Sequence, residues 1–497
     1  MINATQLLER FIKHHGGVIP RTGVNWSSTN SDIAFIWVFR FLAVLDLWHA
    51  TKDSRCIKMM IDAVHWVFTM TDDQIGDQMH EVITDWGPPQ QIRRLSLANG
   101  RNYARSPRDQ VSPGWCRYIA YDRSNKGFRP EILTDGFIGY AIACFINDCR
   151  TELTEQTPIQ TWLLRLKRIF EYHEPSWRDS YKHSPGMLFN SPHRNLRVAG
   201  YWWPAAKDGS IHPTMPGFNQ QALLLSMGVL VEKLLRTDIG ALDKMQMFCD
   251  STLPRYLQLD SANKRMFHLY DFRQNDNEPS NDTVHAQKAN VLFTVATEHG
   301  ITSRFYQQCI INQVRDICHR GDGRIWVLMH GSDKHSGGYD PDSHASAGMW
   351  AECLLWKGGE ALLPIAEQTL ALEHTDDQGA PKGSHKDYFY RARYLRALEA
   401  SHAATNAEGR ACQTKEQPAA QIPAVRVRLG VKNKKLRGTK DAAKYTSKGS
   451  NDDLFHVNGV WRGIRVSTVK AGETVLTWID TTGTEHKTLV QVENRCP

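Results

Sequence analysis

Residues 135–146 read DGFIGYAIACFI, and this stretch decides the fold. Asp135 is its one charged residue and stands first, where an acid suits the start of a helix. The remaining positions are apolar on every side at helical spacing, so the helix is buried all round rather than along one stripe. Gly139, Ala141 and Ala143 are small enough for neighbouring helices to approach closely.

Working outward, a charged and amphipathic helix follows at Ile159–His173, and the same alternation recurs along the chain. Pervasively apolar helices are expected at Asp32–Trp48, Phe218–Val231, Asp282–Thr297 and Ala345–Trp356. Each is followed by an amphipathic one, at Arg55–Met70, Leu242–Leu257, Ser303–Cys318 and Glu360–Leu372. The terminal helices Ala4–His14 and Tyr388–Ser401 supply a further pair. Buried helices ringed by surface helices describe a mainly α protein, an α/α toroid of five to six helical hairpins.

The connections differ by direction. Turns from buried to surface helix are short, as at His49–Ser54 and Glu298–Thr302. Returns from surface to buried helix are long: Thr71–Thr134, Glu174–Gly217, Asp260–Asn281 and Arg320–His344. Connections of this length are unusual in compact domains and tend to carry function. In a toroid they all reach one rim, which is therefore the expected site.

The toroid is assigned residues 1–402, a linker 403–423, and a small antiparallel β-domain 424–497, where short alternating segments are punctuated by Gly459, Gly472 and Gly483. The whole excess of +7 lies here: residues 421–497 hold 14 Lys and Arg against 7 Asp and Glu. The electrically neutral body is a poor partner for nucleic acid. The basic run Lys432–Lys440 is a solvated loop or an attachment point for a polyanion, a protein partner or an assembly. The ten cysteines include no C-x-x-C pair, so packed thiols are expected rather than disulfides or a metal site. Ile33–Leu47, the most apolar early segment, contains Arg40 and Asp46 and is too short to span a bilayer. Met1–Gly17 carries Glu9, Arg10 and Lys13 and is no signal-peptide core, so the expected location is cytoplasmic or virion-associated.

The residues that could carry chemistry gather at the starts of the buried helices. The segment His268-Leu-Tyr270-Asp271-Phe-Arg273 precedes Asn281-Asp282-Thr283-Val284-His285-Ala286, in which Asp282 and His285 share a helix face. Comparable openings are Thr134-Asp135-Gly136, Phe218-Asn219-Gln220 and Asp340-Pro341-Asp342. Capping explains each opening singly, whereas their convergence on one rim makes a binding cavity. The second return contains His193, Arg194, Tyr201, Trp202 and Trp203. Its aromatic cluster suits either the flat C–H faces of sugar rings or a hydrophobic plug.

The helix alternation and the openings at Thr134, Phe218 and Asn281 resemble those of the α/α-toroid polysaccharide lyases and related glycosidases and epimerases, over roughly residues 20–400. The resemblance implies a saccharide bound across the mouth of the toroid, with no cofactor. A lyase acting on a uronate neutralises the carboxylate and removes the adjacent proton. Tyr270 or His285 is the expected base, and Asn219, His193 or Arg273 the neutraliser, with Asp282 beside them. Tyr201, Trp202, Trp203, Arg194, His268, Asp135 and Asp340 are the expected substrate-binding groups. The alternatives are a glycoside hydrolase, which needs two opposed carboxylates, and a non-catalytic glycan-binding component of a phage tail. The sequence has no phosphate loop, zinc-protease motif or nucleophile elbow.

Overall fold

The computed structural model describes residues 2–20, 32–75, 79–84, 87–93, 112–119, 127–130, 132–179, 200–202, 217–269, 283–321, 323–326, 328–332, 350–372, 385–413, 424–428, 434–435, 442–448, 455–459, 465–468, 472–480 and 485–493. It divides into two units, Met1–Thr405 and Asn406–Pro497.

In the first unit the buried helices are α2 (Val38–Thr51), α4 (Ile132–Asp148), α6 (Phe218–Leu235), the pair α8 (Thr283–Ala289) and α9 (Val291–Glu298), α11 (Trp350–Cys353) and α13 (His385–Gln413). Outside them run α1 (Ala4–His15), α3 (Ser54–Thr69), α5 (Ile159–Tyr172), α7 (Ala241–Met247), α10 (Arg304–Gln313) and α12 (Leu363–Ala371). A surface helix buries one stripe, as α3 does with Cys56, Met59, Met60, Ala63, Val64, Val67 and Phe68. By contrast α4 buries nearly every residue from Ile132 to Ile146.

Contacts between neighbouring inner helices advance in the same direction along both, so the helices are parallel. Phe39 meets Phe137, and Phe41 meets Phe145. Gly136 lies against Leu224, and Gly139 against Met227. Phe218 meets Phe293, Thr294 bonds Glu352, and Trp350 packs on Tyr390. Phe389 returns to Phe39, which closes the ring. Phe11 of α1 packs on Tyr388 of α13, so the two ends of the domain form the last hairpin. Among the described residues this is an α/α toroid of six hairpins.

Close packing sets the spacing between α4 and α6. A Cβ built on Gly136 would stand 2.6 Å from the Leu224 backbone nitrogen. Backbone cannot step aside as a side-chain tip can. Gly136→Val is therefore expected to destabilise the ring by at least about 1–3 kcal/mol, seen as a lower urea midpoint.

At the far end of the ring, charge replaces apolar contact. Arg393 on α13 donates through Nε to Asp46 of α2 at 2.6 Å and through Nη1 to Glu352 of α11 at 3.0 Å. Thr294 of α9 donates to Glu352 at 2.6 Å, and Arg396 donates to Asp46 at 2.9 Å. Burial alone would lower the Arg393 pKa; the charges of Asp46 and Glu352 outweigh it and raise it.

Helix α1 enters on a capping box, with the Asn3 side chain accepting from Gln6 N–H and the Gln6 side chain from Asn3 N–H. It ends at His15, whose pKa is lowered to about 4 by burial, by the charge of Arg40 and by His14. A proton thus prefers the unfolded chain, where the imidazole keeps its ordinary value of about 6.5. Stability that is present above that value is lost as pH falls from about 6.5 to about 4. His15→Gln is expected to flatten the fall in melting temperature across this window.

The long returns are not structureless. The first contains the hairpins β1 (Met79–Thr84) with β2 (Gly87–Arg93) and β3 (Cys116–Ile119) with β4 (Gly127–Pro130). The second pairs β5 (Trp177–Arg178) with β6 (Tyr201–Trp202), and the third β7 (Leu257–Asp260) with β8 (Arg265–His268). Residues 403–413, expected as linker, extend α13 instead. Their Ala, Glu, Arg and Gln are good helix formers, which periodicity of apolar residues does not register. Among the described residues the cysteines are free thiols, and no helix is long and apolar enough to cross a membrane.

Among its described residues the second unit holds two sheets. β10 (Lys434–Lys435), β13 (Arg465–Thr468) and β12 (Phe455–Gly459) form one, and β11 (Ala442–Lys448), β14 (Gly472–Asp480), β15 (Glu485–Glu493) and β9 (Ala424–Arg428) the other. Pairing is antiparallel except between β15 and β9, which run parallel. Strands β12 and β13 pair antiparallel with each other.

Candidate functional site

Because the ring helices are parallel and each begins after a return, all their N-termini share one end. Three candidate residues lie in the first turns of consecutive ring helices: Asp135 of α4, Asn219 of α6 and His285 of α8. The positive ends of the helix dipoles favour anionic or acceptor-rich ligands at such a rim.

Asp135 is wholly buried and its two oxygens are engaged. Oδ1 accepts the Trp115 backbone N–H at 2.7 Å, and Oδ2 bonds His173 Nε2 at 2.8 Å. Gly114 passes so close that a Cβ there would overlap the carboxylate. The expected substrate ligand is thus a clamp, fixing the end of the first return and the end of α5 to α4. Trp115 adds a bond from Nε1 to the Val67 carbonyl at 2.8 Å.

Tyr201 and Trp202 were expected as a sugar platform, yet both are completely buried. A ring with no exposed face cannot stack on a sugar. Trp202 packs edge-on against Phe170 and Trp177, with centroids 5.7 and 4.7 Å away. Gln221 holds its backbone at both ends, accepting from Trp202 N–H at 2.9 Å and donating to its carbonyl at 2.8 Å. These two residues are the plug that fastens the second return to α6.

His268 is likewise buried, with Nε2 3.3 Å from Asn290 Oδ1 and its ring edge-on to Phe218 at 4.9 Å. Asn290 occupies the break between α8 and α9. His268 therefore anchors β8 to the ring, a positioning duty rather than the expected direct contact with substrate.

The Trp202 indole Nε1 is buried without a hydrogen-bond partner, and Asn219 has two such atoms. It is fully buried, at the second position of α6, and neither its Oδ1 nor its Nδ2 has a hydrogen-bond partner. His285 is half-buried on the adjacent α8. The expected residues Tyr270, Arg273, His193, Arg194, Trp203, Asp282 and Asp340 lie outside the described residues.

No family model and no curated protein matches the chain. Solved structures do. An inactive variant of the α-1,6-mannanase GH76A of Salegentibacter sp. HEL1_6, in complex with α-1,6-mannotriose, is 11% identical with a TM-score of 0.45, over 80% of this chain and 99% of that one. A GH76 α-mannanase of Bacteroides thetaiotaomicron is 10% identical with a TM-score of 0.45, over 81% and 98%. A structure described as a polysaccharide lyase is 10% identical with a TM-score of 0.38, over 83% and 86%. At these values the likeness is one of helical layout and assigns no residue.

Sequence reasoning missed Gln221 and His173, which hold the returns in place. Gln221 had a readable signal, a long polar side chain inside an otherwise apolar helix. His173 had none, because a histidine at the end of a surface helix has an adequate local role already.

Proposed function

We propose that this chain is a carbohydrate-active enzyme that takes a glycan at the N-terminal rim of its toroid and cleaves it. The observation that carries this reading is Asn219. A buried amide with donor and acceptor both unmet costs about 1–3 kcal/mol, and such a group is kept where a ligand completes it. Sugar hydroxyls offer a donor and an acceptor together. The aromatic and ionisable content of the returns that end at this rim supports the same ligand class.

The finer reading from the sequence is β-elimination at a uronate, with Tyr270 or His285 as base and Asn219, His193 or Arg273 neutralising the carboxylate. Glycoside hydrolysis is the alternative, and there Asp135 is no candidate, since its carboxylate is committed to His173 and Trp115. Asn219 fits either, as a donor to a carboxylate or to a sugar oxygen. Neither chemistry needs a cofactor.

Incubation of the full chain with a panel of neutral and acidic polysaccharides tests the proposal. New reducing ends with unsaturated-product absorbance identify a lyase, and reducing ends alone a hydrolase. Absence of both, across a panel that includes uronate- and mannose-containing polymers, would overturn the enzyme.

A further inference from the structure

We propose that a cavity at the far end of α6, opposite the rim, is a second saccharide site that takes one neutral sugar unit. This rests on the glycan reading above and adds a place that holds the glycan without acting on it. The cavity measures about 350 Å3, within the range of small-molecule pockets. The last turns of α6, the turn into α7 and His299 at the end of α9 enclose it. Lys233 on its wall stands about 20 Å along α6 from Asn219, so the cavity and the rim are separate.

Its walls offer what a sugar ring requires. Val229 and Leu242 form an apolar side for the C–H face. Four charged side chains share the rest: Glu232, Lys233, Arg236 and Asp238. Two acids against two bases leave no net charge to select an anion or a cation. Among the described residues none of the four forms an ion pair, although opposite charges line one cavity. Backbone donors hold the acids in place. Glu232 Oε2 accepts from Ala241 N–H at 2.8 Å and Ile239 N–H at 3.3 Å, and Asp238 Oδ1 accepts from Gly240 N–H at 2.8 Å. His299 Nδ1 lies 2.9 Å from the Val295 carbonyl, which can only accept, so Nε2 of the neutral ring is an acceptor. Fixed acceptors and cationic donors around one apolar side suit a ligand whose hydroxyls both give and take hydrogen bonds.

The backbone at Arg236 points the same way. It closes α6 in the left-handed conformation, with φ 55°, where glycine is at ease and a side chain is disfavoured. Lys52 does the same at the end of α2, and there the ammonium lies 3.8 Å from the Trp48 ring. Arg236 has no such contact among the described residues, and its side chain lines the cavity instead. Strain of this kind is kept where the side chain has a task.

The test titrates the full methyl-labelled chain with D-glucose, D-mannose, D-galactose and inorganic phosphate, following the Val229 and Leu242 methyl resonances by NMR. At least one hexose should shift both saturably, with phosphate weaker. Arg236→Gly should weaken that hexose about tenfold while the melting temperature holds or rises, since glycine relieves the backbone. Asn219→Leu should leave these shifts as they are. Phosphate binding more tightly than every hexose overturns the sugar assignment, and so does an Arg236→Gly variant that binds like the parent. Hexoses without effect on either methyl overturn the second site; if glycans are still cleaved in an Asn219-dependent way, the rim reading stands. Failure of every glycan to bind or react removes that reading and the second site with it.

Discussion

Arg393→Met is expected to lower the stability of the ring domain by about 3–5 kcal/mol, the largest loss of any single replacement considered. Methionine fills much of the same space, so the loss is electrostatic rather than a cavity. Asp46 is wholly buried and Glu352 nearly so, and Arg393 bonds both. Without the guanidinium, Asp46 keeps only Arg396 and Glu352 keeps only Thr294 among the bonds described. A stranded buried carboxylate is far costlier than a severed surface pair. Position adds to the effect, because these bonds join α2, α11 and α13, and thereby the two ends of the domain. The measurement is the urea midpoint of the variant. Arg393→Lys should fall between, since an ammonium keeps the charge but cannot fork between two acids. Added salt should do little, as the network is shielded from solvent. A loss under about 1 kcal/mol for Arg393→Met would show that the network is not what closes the ring.

That network also marks where the sequence stops being legible. The helix alternation could be read because burial all round and burial on one stripe leave different periods. It located the ring helices closely: Phe218–Leu235 was expected as Phe218–Val231, and Ile132–Asp148 as Asp135–Ile146. Partnership across the ring left no such trace. Asp46 and Arg393 are 347 positions apart, and an acid inside an apolar run says only that something must pair with it. The rim shows the same limit. Residue types pointed to polar side chains at the helix starts, such as Asp135 and Asn219, yet they could not say which face inward as structure and which face a ligand. Trp202 and Asp135 look like binding groups by chemistry and are packing groups by geometry, because Phe170 and Trp177 enclose the Trp202 ring and His173 and Trp115 take the Asp135 oxygens. The small strands in the returns were missed for a simpler reason: two-residue pairs such as Trp177–Arg178 with Tyr201–Trp202 are too short to alternate.

Asn219→Leu should separate stability from function at the rim. Leucine has the same number of side-chain heavy atoms and the same branching as asparagine, is bulkier through its methyl groups, and introduces no donor or acceptor. In the free protein it therefore removes two unmet buried polar atoms and should raise stability by about 1–3 kcal/mol. The same change should lower glycan cleavage by about 100-fold or more, because the group that would bind the sugar at the start of α6 is gone. The opposite signs are the informative part. A structural asparagine, held by a bond to its surroundings, would lose stability and activity together when replaced. An asparagine kept for a ligand loses only the activity. Thermal melting beside reducing-end release from the responsive polysaccharide reads both quantities. A variant that melts earlier than the parent, or that cleaves at the parental rate, would end the role assigned to Asn219, and with it the placement of the saccharide over α6.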